Sequence, residues 1–213
     1  MLIEMFADVI CPWCYIGRRR LMRALAERPR LKVEHRWQTF QLNPDIPPGG
    51  MDRIIYMAAK FGNLDRAQQI HAVVEETAVR EGLPIALNRI RRIPNTFDAH
   101  RLIRLADRWG QGEAMIDTLF HAYFVEGLDI SDHPVLVTKA AGIGLEARDI
   151  LRLLRTDAEV DAVRASDAQA RQLGLQAVPC YVFNKRYALA GAQEPASFHP
   201  LLDLAADEAP VGV

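Results

Sequence analysis

Cysteine is scarce in this chain, with three in 213 residues. A secreted scaffold stapled by several disulfides is therefore excluded. Charge imbalance is also missing: 26 Lys and Arg face 27 Asp and Glu, a formal net charge of −1. That balance gives no global attraction to nucleic acid or to an anionic membrane surface. The arginine clusters Arg18-Arg19-Arg20 and Arg89, Arg91, Arg92 read as solvated faces. No apolar run reaches the length that spans a bilayer. The N-terminus lacks the basic stretch, apolar run and small-residue cleavage site of a secretory leader, so a cytoplasmic location is expected. Half the residues are apolar and a quarter are charged, as in a globular protein with a substantial core.

The little cysteine there is sits where it can act. Cys11-Pro12-Trp13-Cys14 follows the apolar run Leu2-Ile3-Glu4-Met5-Phe6 and opens a helical pattern. Two cysteines at this spacing can close a reversible disulfide with little backbone movement. A helix N-terminus supplies the positive end of a dipole and unsatisfied N–H groups, which favours a thiolate on Cys11. After a strand and before a helix, such a motif reads as a thioredoxin-like redox pair.

Ile16, Leu21, Met22 and Leu25 recur at helical spacing up to Pro29. Leu31, Val33, His35 and Trp37 then alternate with polar residues as a half-covered strand does. After Asn43-Pro44-Asp45 and Pro47-Pro48-Gly49-Gly50 the pattern turns helical to about residue 173, with stripes such as Leu64/Ala67/His71/Val74/Ala78 and Leu102/Ile103/Ala106/Trp109. Ser131 and Asp132 are good caps ahead of Pro134. Strand signals return at Cys180-Tyr181-Val182-Phe183 and Arg186-Tyr187-Ala188-Leu189, a hairpin turning at Asn184-Lys185, before a helix over 195–206. The expected architecture is α/β: a thioredoxin fold from residues 1–45 and 174–213, interrupted by an all-helical subdomain over 46–173.

Three blocks carry a family resemblance: Asp8 to Gly17 around Cys-Pro-Trp-Cys, Arg92-Ile93-Pro94-Asn95-Thr96 with Ala99-His100-Arg101, and Val178-Pro179 with Tyr181-Val182-Phe183 and Gly191-Ala192-Gln193. Together they resemble the DsbA-like thioredoxin superfamily, in particular its cytoplasmic FrnE-like dithiol-disulfide oxidoreductases. The resemblance implies a cis Val178-Pro179 bond against the Cys11 sulfur, with the Val178 backbone offered to an extended substrate. It also implies that the helical block bearing Asn95 and His100 faces the active site. A related branch holds the glutathione-dependent 2-hydroxychromene-2-carboxylate isomerases and kappa-class glutathione transferases, which typically place serine where Cys11 stands.

Each candidate carries a plain structural alternative. Cys11 is the expected nucleophile and Cys14 the resolving thiol. Trp13 offers an apolar surface to substrate or simply packs. Pro179 is a cis proline or an ordinary proline opening a strand. Asp8 accepts a proton during resolution or caps the following helix. Asn95 and His100 tune the thiolate and bind substrate, or satisfy helix packing. Cys180 lies near the dithiol or is a small buried hydrophobe.

The expectation is a cytoplasmic oxidoreductase exchanging disulfides on protein or small-molecule substrates. It has no metal and no bound cofactor, with glutathione as a candidate co-substrate and no nucleic-acid or membrane partner. Self-association into a homodimer stays open. The rival readings are a glutathione-dependent isomerase or transferase, in which Cys14 has no task, and a non-catalytic zinc- or partner-binding module.

Overall fold

The computed structural model describes residues 1–207. It opens with β1 (Leu2–Ala7), α1 (Pro12–Ala26) and β2 (Glu34–Thr39). Then come β3 (Met51–Asp52), α2 (Arg53–Phe61), α3 (Leu64–Arg80), β4 (Arg92–Ile93) and α4 (Phe97–Asp107). The chain continues through α5 (Gly112–Phe124), α6 (His133–Gly142), α7 (Ala147–Leu154) and α8 (Val160–Gln172). It closes with β5 (Cys180–Phe183), β6 (Tyr187–Ala190) and α9 (Pro195–Ala206). No described helix is long and apolar enough to cross a membrane.

Two compact units result, one of residues 1–42 with 166–213 and one of residues 43–165. The second boundary lies inside α8 rather than after residue 173. The reason is polar: Ser166 Oγ accepts the Thr39 N–H at 2.9 Å, and Asp167 Oδ1 accepts the Gln41 N–H at 2.8 Å. Those bonds tie the end of α8 to the first unit.

The first unit is built on a sheet in the order β2-β1-β5-β6. β1 runs parallel to β2 and antiparallel to β5, and β6 is antiparallel to β5. β1 is central and covered on both faces, so it reads as an apolar run rather than an alternation. Its one charged residue, Glu4, accepts from Gln38 Nε2 at 2.7 Å, and Gln38 in turn accepts from Ser166 Oγ at 2.9 Å. The register sets Met5 opposite Trp37 and Tyr181 on one face, and Phe6 opposite Gln38 and Cys180 on the other. Asn184 and Lys185 hold the β5–β6 turn with φ of 47° and 59°, closed by the Arg186 N–H on the Phe183 carbonyl at 2.9 Å. The arginine run in α1 is not a solvated face. Arg18 and Arg20 are buried and Arg19 alone is exposed. Arg20 donates to the Ala192 carbonyl at 2.7 Å and pairs with Glu194 at 2.6 Å, fastening the approach to α9.

The second unit is helical except for one short ladder, Met51 opposite Ile93 and Asp52 opposite Arg92. Two residues per strand leave no periodicity to read, and Asp52 doubles as the cap of α2. Its core includes Leu102, Leu105, Met115, Leu119 and the stacked rings of Phe120 and Phe124, 6.1 Å apart. Leu102, Ile103 and Ala106 are buried as their stripe requires, but Trp109 lies beyond the end of α4 and is half exposed. Asp132 is the N-cap residue of α6, yet forms no side-chain cap bond; Ser131 Oγ donates instead to Asp129 at 2.5 Å. Buried Arg101 donates to the carbonyls of Leu153, Leu154, Thr156 and Ala158 and pairs with Asp98. That cation meets the carbonyl end of α7, where helix dipoles favour positive charge.

Candidate active site

Cys11 is the N-cap residue of α1, in extended backbone at φ −86° and ψ 113°. Pro12 takes the first helical turn, where its missing N–H is no loss. The Cys11 N–H bonds the Asp8 carbonyl at 3.1 Å, and the Cys11 carbonyl accepts from Cys14 and Tyr15 at 3.0 and 3.2 Å. No side chain caps the helix and no acid stands in its first turn, so the sulfur occupies the place of the usual oxygen.

Cys11, Cys14 and Cys180 are free thiols, all buried. Cys11 is 4% exposed and Cys14 is fully enclosed. The Cys11 thiol donates to the Val178 carbonyl at 3.6 Å, a contact between residues 167 apart in sequence. The Val178-Pro179 peptide bond is cis. Burial pushes the Cys14 thiol well above its ordinary value, and a hydrogen bond with the Cys11 side chain and the negative charges of Cys11 and Asp8 add to this. A hydrogen bond from the Asp8 backbone works the other way. Asp8 itself is wholly buried. Its carboxylate accepts the Leu42 N–H at 2.8 Å rather than capping α1. Trp13 is half-buried beside the two sulfurs in sequence.

The first unit thus gathers Asp8, Cys11, Trp13, Cys14, Val178 and Pro179 around one helix terminus. Asn95 and His100 belong to the other unit. Asn95 Nδ2 donates to the Ile46 carbonyl at 2.6 Å and its Oδ1 accepts the Phe97 N–H at 2.9 Å, so both ends of its amide serve the loop before α4. His100 is fully buried on α4. Cys180 projects to the sheet face opposite Tyr181, and burial raises its thiol. Among the described residues no group of three or more His, Cys, Asp or Glu is arranged to hold a metal ion.

A dithiol at a strand-to-helix junction, set against a cis proline on the neighbouring strand, is the geometry to compare with known proteins. Residues 2–203 match the DsbA-like thioredoxin domain. The chain belongs to that family. A probable DsbA oxidoreductase from Streptomyces coelicolor is 33% identical, superposes with a TM-score of 0.91, and is matched over 100% of this chain and 93% of its own. The DsbA-like fold is shared at lower identity by two further structures. One is a 2-hydroxychromene-2-carboxylate isomerase, 14% identical with a TM-score of 0.71, covering 96% of this chain and 94% of that one. The other is the cytosolic disulfide reductase DsbM from Pseudomonas aeruginosa with glutathione, 21% identical with a TM-score of 0.65, covering 96% and 98%.

Two residues that the sequence offered only as part of the resemblance, Gly17 and Tyr181, were given no role there. Gly17 lies one turn past Cys14, and Tyr181 packs against it: a Cβ on Gly17 would fall 2.3 Å from the Tyr181 hydroxyl. A glycine inside an otherwise good helix was the available signal, because it costs about 1 kcal/mol relative to alanine.

Proposed function

We propose that the chain is a cytoplasmic thiol-disulfide oxidoreductase working through Cys11 and Cys14 on protein or small-molecule disulfides. The observation that carries this reading is a pair of free thiols at an uncapped helix N-terminus, with Cys11 donating to the Val178 carbonyl at 3.6 Å beside the cis Pro179 and Cys14 wholly enclosed. One thiol is placed to meet substrate and the other to wait behind it.

In the reducing direction the Cys11 thiolate attacks one substrate sulfur. The substrate S–S bond breaks, and its electron pair leaves on the second sulfur as a thiolate. Cys14 then passes its proton to the Asp8 carboxylate and attacks Cys11 Sγ. The mixed disulfide breaks, the remaining substrate thiolate departs, and Cys11 and Cys14 are left as a disulfide. Two electrons have moved from protein to substrate. Two glutathione thiols return them and end as glutathione disulfide, so glutathione serves as co-substrate and no bound cofactor is needed. The Val178 backbone, against the attacking sulfur, supplies the polar contact for substrate, and half-buried Trp13, next but one to Cys11 in sequence, the apolar one. An isomerase that only activates glutathione would leave Cys14 without a task.

The test is incubation of the reduced protein with glutathione disulfide, followed by mass spectrometry. The wild type should become a Cys11–Cys14 disulfide and release two glutathione thiols, whereas Cys14→Ser should keep one glutathione on Cys11. A wild type that holds glutathione on Cys14 or Cys180 instead of closing the Cys11–Cys14 disulfide, or a Cys14→Ser protein that carries glutathione on Cys180 or on no cysteine, would overturn the assignment.

A further inference from the structure

Tyr181 is wholly enclosed, and its hydroxyl has no hydrogen-bond partner. Buried polar groups in native proteins almost always find one, so an orphan calls for an explanation. The ring is fixed by an edge contact with Phe198, centroids 5.0 Å apart at 77°. The hydroxyl lies where the side chain of Gly17 would be, with Pro179 Cγ and Ala192 Cβ closing the same space. Gly17 follows Cys14 by three residues, and positions three apart share a helix face at roughly 5–6 Å between Cβ atoms. The orphan hydroxyl is therefore one turn from the resolving sulfur, on the same face of α1. The direction of its acidity agrees: burial first, then the charge of Cys14, then that of Cys11, hold the phenol well above its ordinary value.

We propose that Tyr181 is the hydrogen-bond donor for Cys14 during the instant at which that sulfur is a thiolate. This rests on the exchange reading above and adds to it a residue that the exchange chemistry does not name. When a thiolate attacks Cys11 of the oxidised pair, the S–S bond breaks and its electron pair moves to Cys14, which leaves as an anion in a fully enclosed site. When Cys14 resolves a mixed disulfide, the same anion is the attacking group. In both directions the Tyr181 hydroxyl turns toward the sulfur and donates, and no proton leaves the oxygen. Neither the disulfide sulfur nor the neutral thiol is more than a weak acceptor. The bond is thus strong only when charge is present. An interaction confined to the charged state accelerates the step instead of merely stabilising the resting protein.

The groups whose charge acts on Cys14 or on Tyr181 are Asp8 beyond β1, Cys11 and Arg18 on α1, and Cys180 on β5. All of them are retained in the test. The protein carrying glutathione on Cys11 is prepared, and release of glutathione by Cys14 is timed between pH 6 and pH 10. In Tyr181→Phe the release should slow about tenfold at neutral pH, the size expected for a lost hydrogen bond to a charged group. The rise of rate with pH should shift upward by about one unit. Thermal stability should hold or increase, because the variant removes an unpaired hydroxyl and little else. Should Tyr181→Phe fold poorly, a difluorinated tyrosine at position 181 keeps the shape and sharpens the donor; release should then quicken and the profile move down. Unchanged rate and profile in either protein overturns the Tyr181 assignment alone. A wild type that never resolves glutathione from Cys11 overturns both this assignment and the exchange reading.

Discussion

The N-termini of α1 and α2 are built to opposite rules. On α2, Asp52 accepts the N–H groups of Ile54 and Ile55 at 2.8 and 3.2 Å, and on α3 Asn63 does the same for Arg66 at 2.8 Å. On α1 the equivalent place belongs to Cys11, with no cap bond and no acid in the first turn. A good cap stabilises a helix by about 1 kcal/mol. Helices α2 and α3 take that stabilisation, and the helix of the dithiol forgoes it, as do α4, α5, α6 and α7, whose cap positions hold Thr96, Gln111, Asp132 and Glu146 without a side-chain bond. What α1 keeps instead is an electropositive terminus addressed to a sulfur, where a thiolate gains most. The starts of α2 and α3 are fastened by a side-chain oxygen, whereas the start of α1 is left open to a sulfur.

Cys11→Ser breaks this contrast most sharply. Serine is a preferred cap, and the Cys11 backbone is already extended as a cap residue requires. Exchange with glutathione disulfide should fall to the uncatalysed level, while the urea-unfolding free energy rises by about 0.5–1 kcal/mol. A variant that is less stable than the wild type would show that the sulfur is not standing in for a cap.

Gly17→Ala should come next in size. A Cβ there would lie 2.3 Å from the Tyr181 hydroxyl and 2.9 Å from Pro179 Cγ. Overpacking of this kind costs about 1–3 kcal/mol, against which better helix propensity returns about 1 kcal/mol at most. The net loss should appear in urea titration, and a stabilised variant would mean that the strand and helix separate easily.

Asp52→Ala probes the other side of the comparison. It should lower stability by about 1 kcal/mol and leave glutathione exchange by the dithiol unaltered. Loss of exchange at unchanged stability would contradict the contrast between the starts of α1 and α2.

The smallest effect is nil at neutral pH and emerges only in alkali. Cys14, Cys180 and Tyr181 are all held above their ordinary values of 9.0, 9.0 and 10.0. As pH climbs past about 9, the unfolded chain loses these protons first, so it binds fewer than the folded one and stability falls. Urea midpoints of the reduced protein should be flat with respect to these groups up to about pH 9 and decline beyond it. The decline should be shallower once Cys11 and Cys14 are oxidised, since Cys14 then has no proton to lose. Equal slopes for the two redox forms would contradict the burial of Cys14 as the source.

Much of this was legible in the sequence because the signals are local. The apolar run of β1, the period of α1, Pro12 inside the first turn and the chain reversal at Asn184-Lys185 each rest on a handful of neighbouring residues. The boundary inside α8 was not legible, because Ser166 and Asp167 act on the backbone of Thr39 and Gln41, 127 and 126 positions earlier. The burial of Arg20 was hidden for the same reason: its run of charge looks solvated until Ala192 and Glu194 are brought alongside. Asp8 could be read as acid or as cap, and only the fold shows its carboxylate turned to Leu42. At the site, Tyr181 looked like any aromatic on a buried strand; what sets it apart is a hydroxyl against a glycine 164 residues away in number, a juxtaposition that periodicity does not encode.

The separation of Cys11 from Val178 by 167 residues has a consequence for how the protein is made. Synthesis proceeds at about 5–20 residues per second, so the dithiol leaves the ribosome roughly 8–33 s before the strand that will shelter it. During that interval β1, α1 and β2 can assemble locally, but β1 lacks the antiparallel neighbour that completes its ladder. The nascent chain therefore presents a reactive thiol and an unpaired strand edge side by side, which is a setting for premature oxidation and for misjoining with other chains. For this topology, a reducing surrounding during translation would guard the unsheltered thiols until β5 arrives.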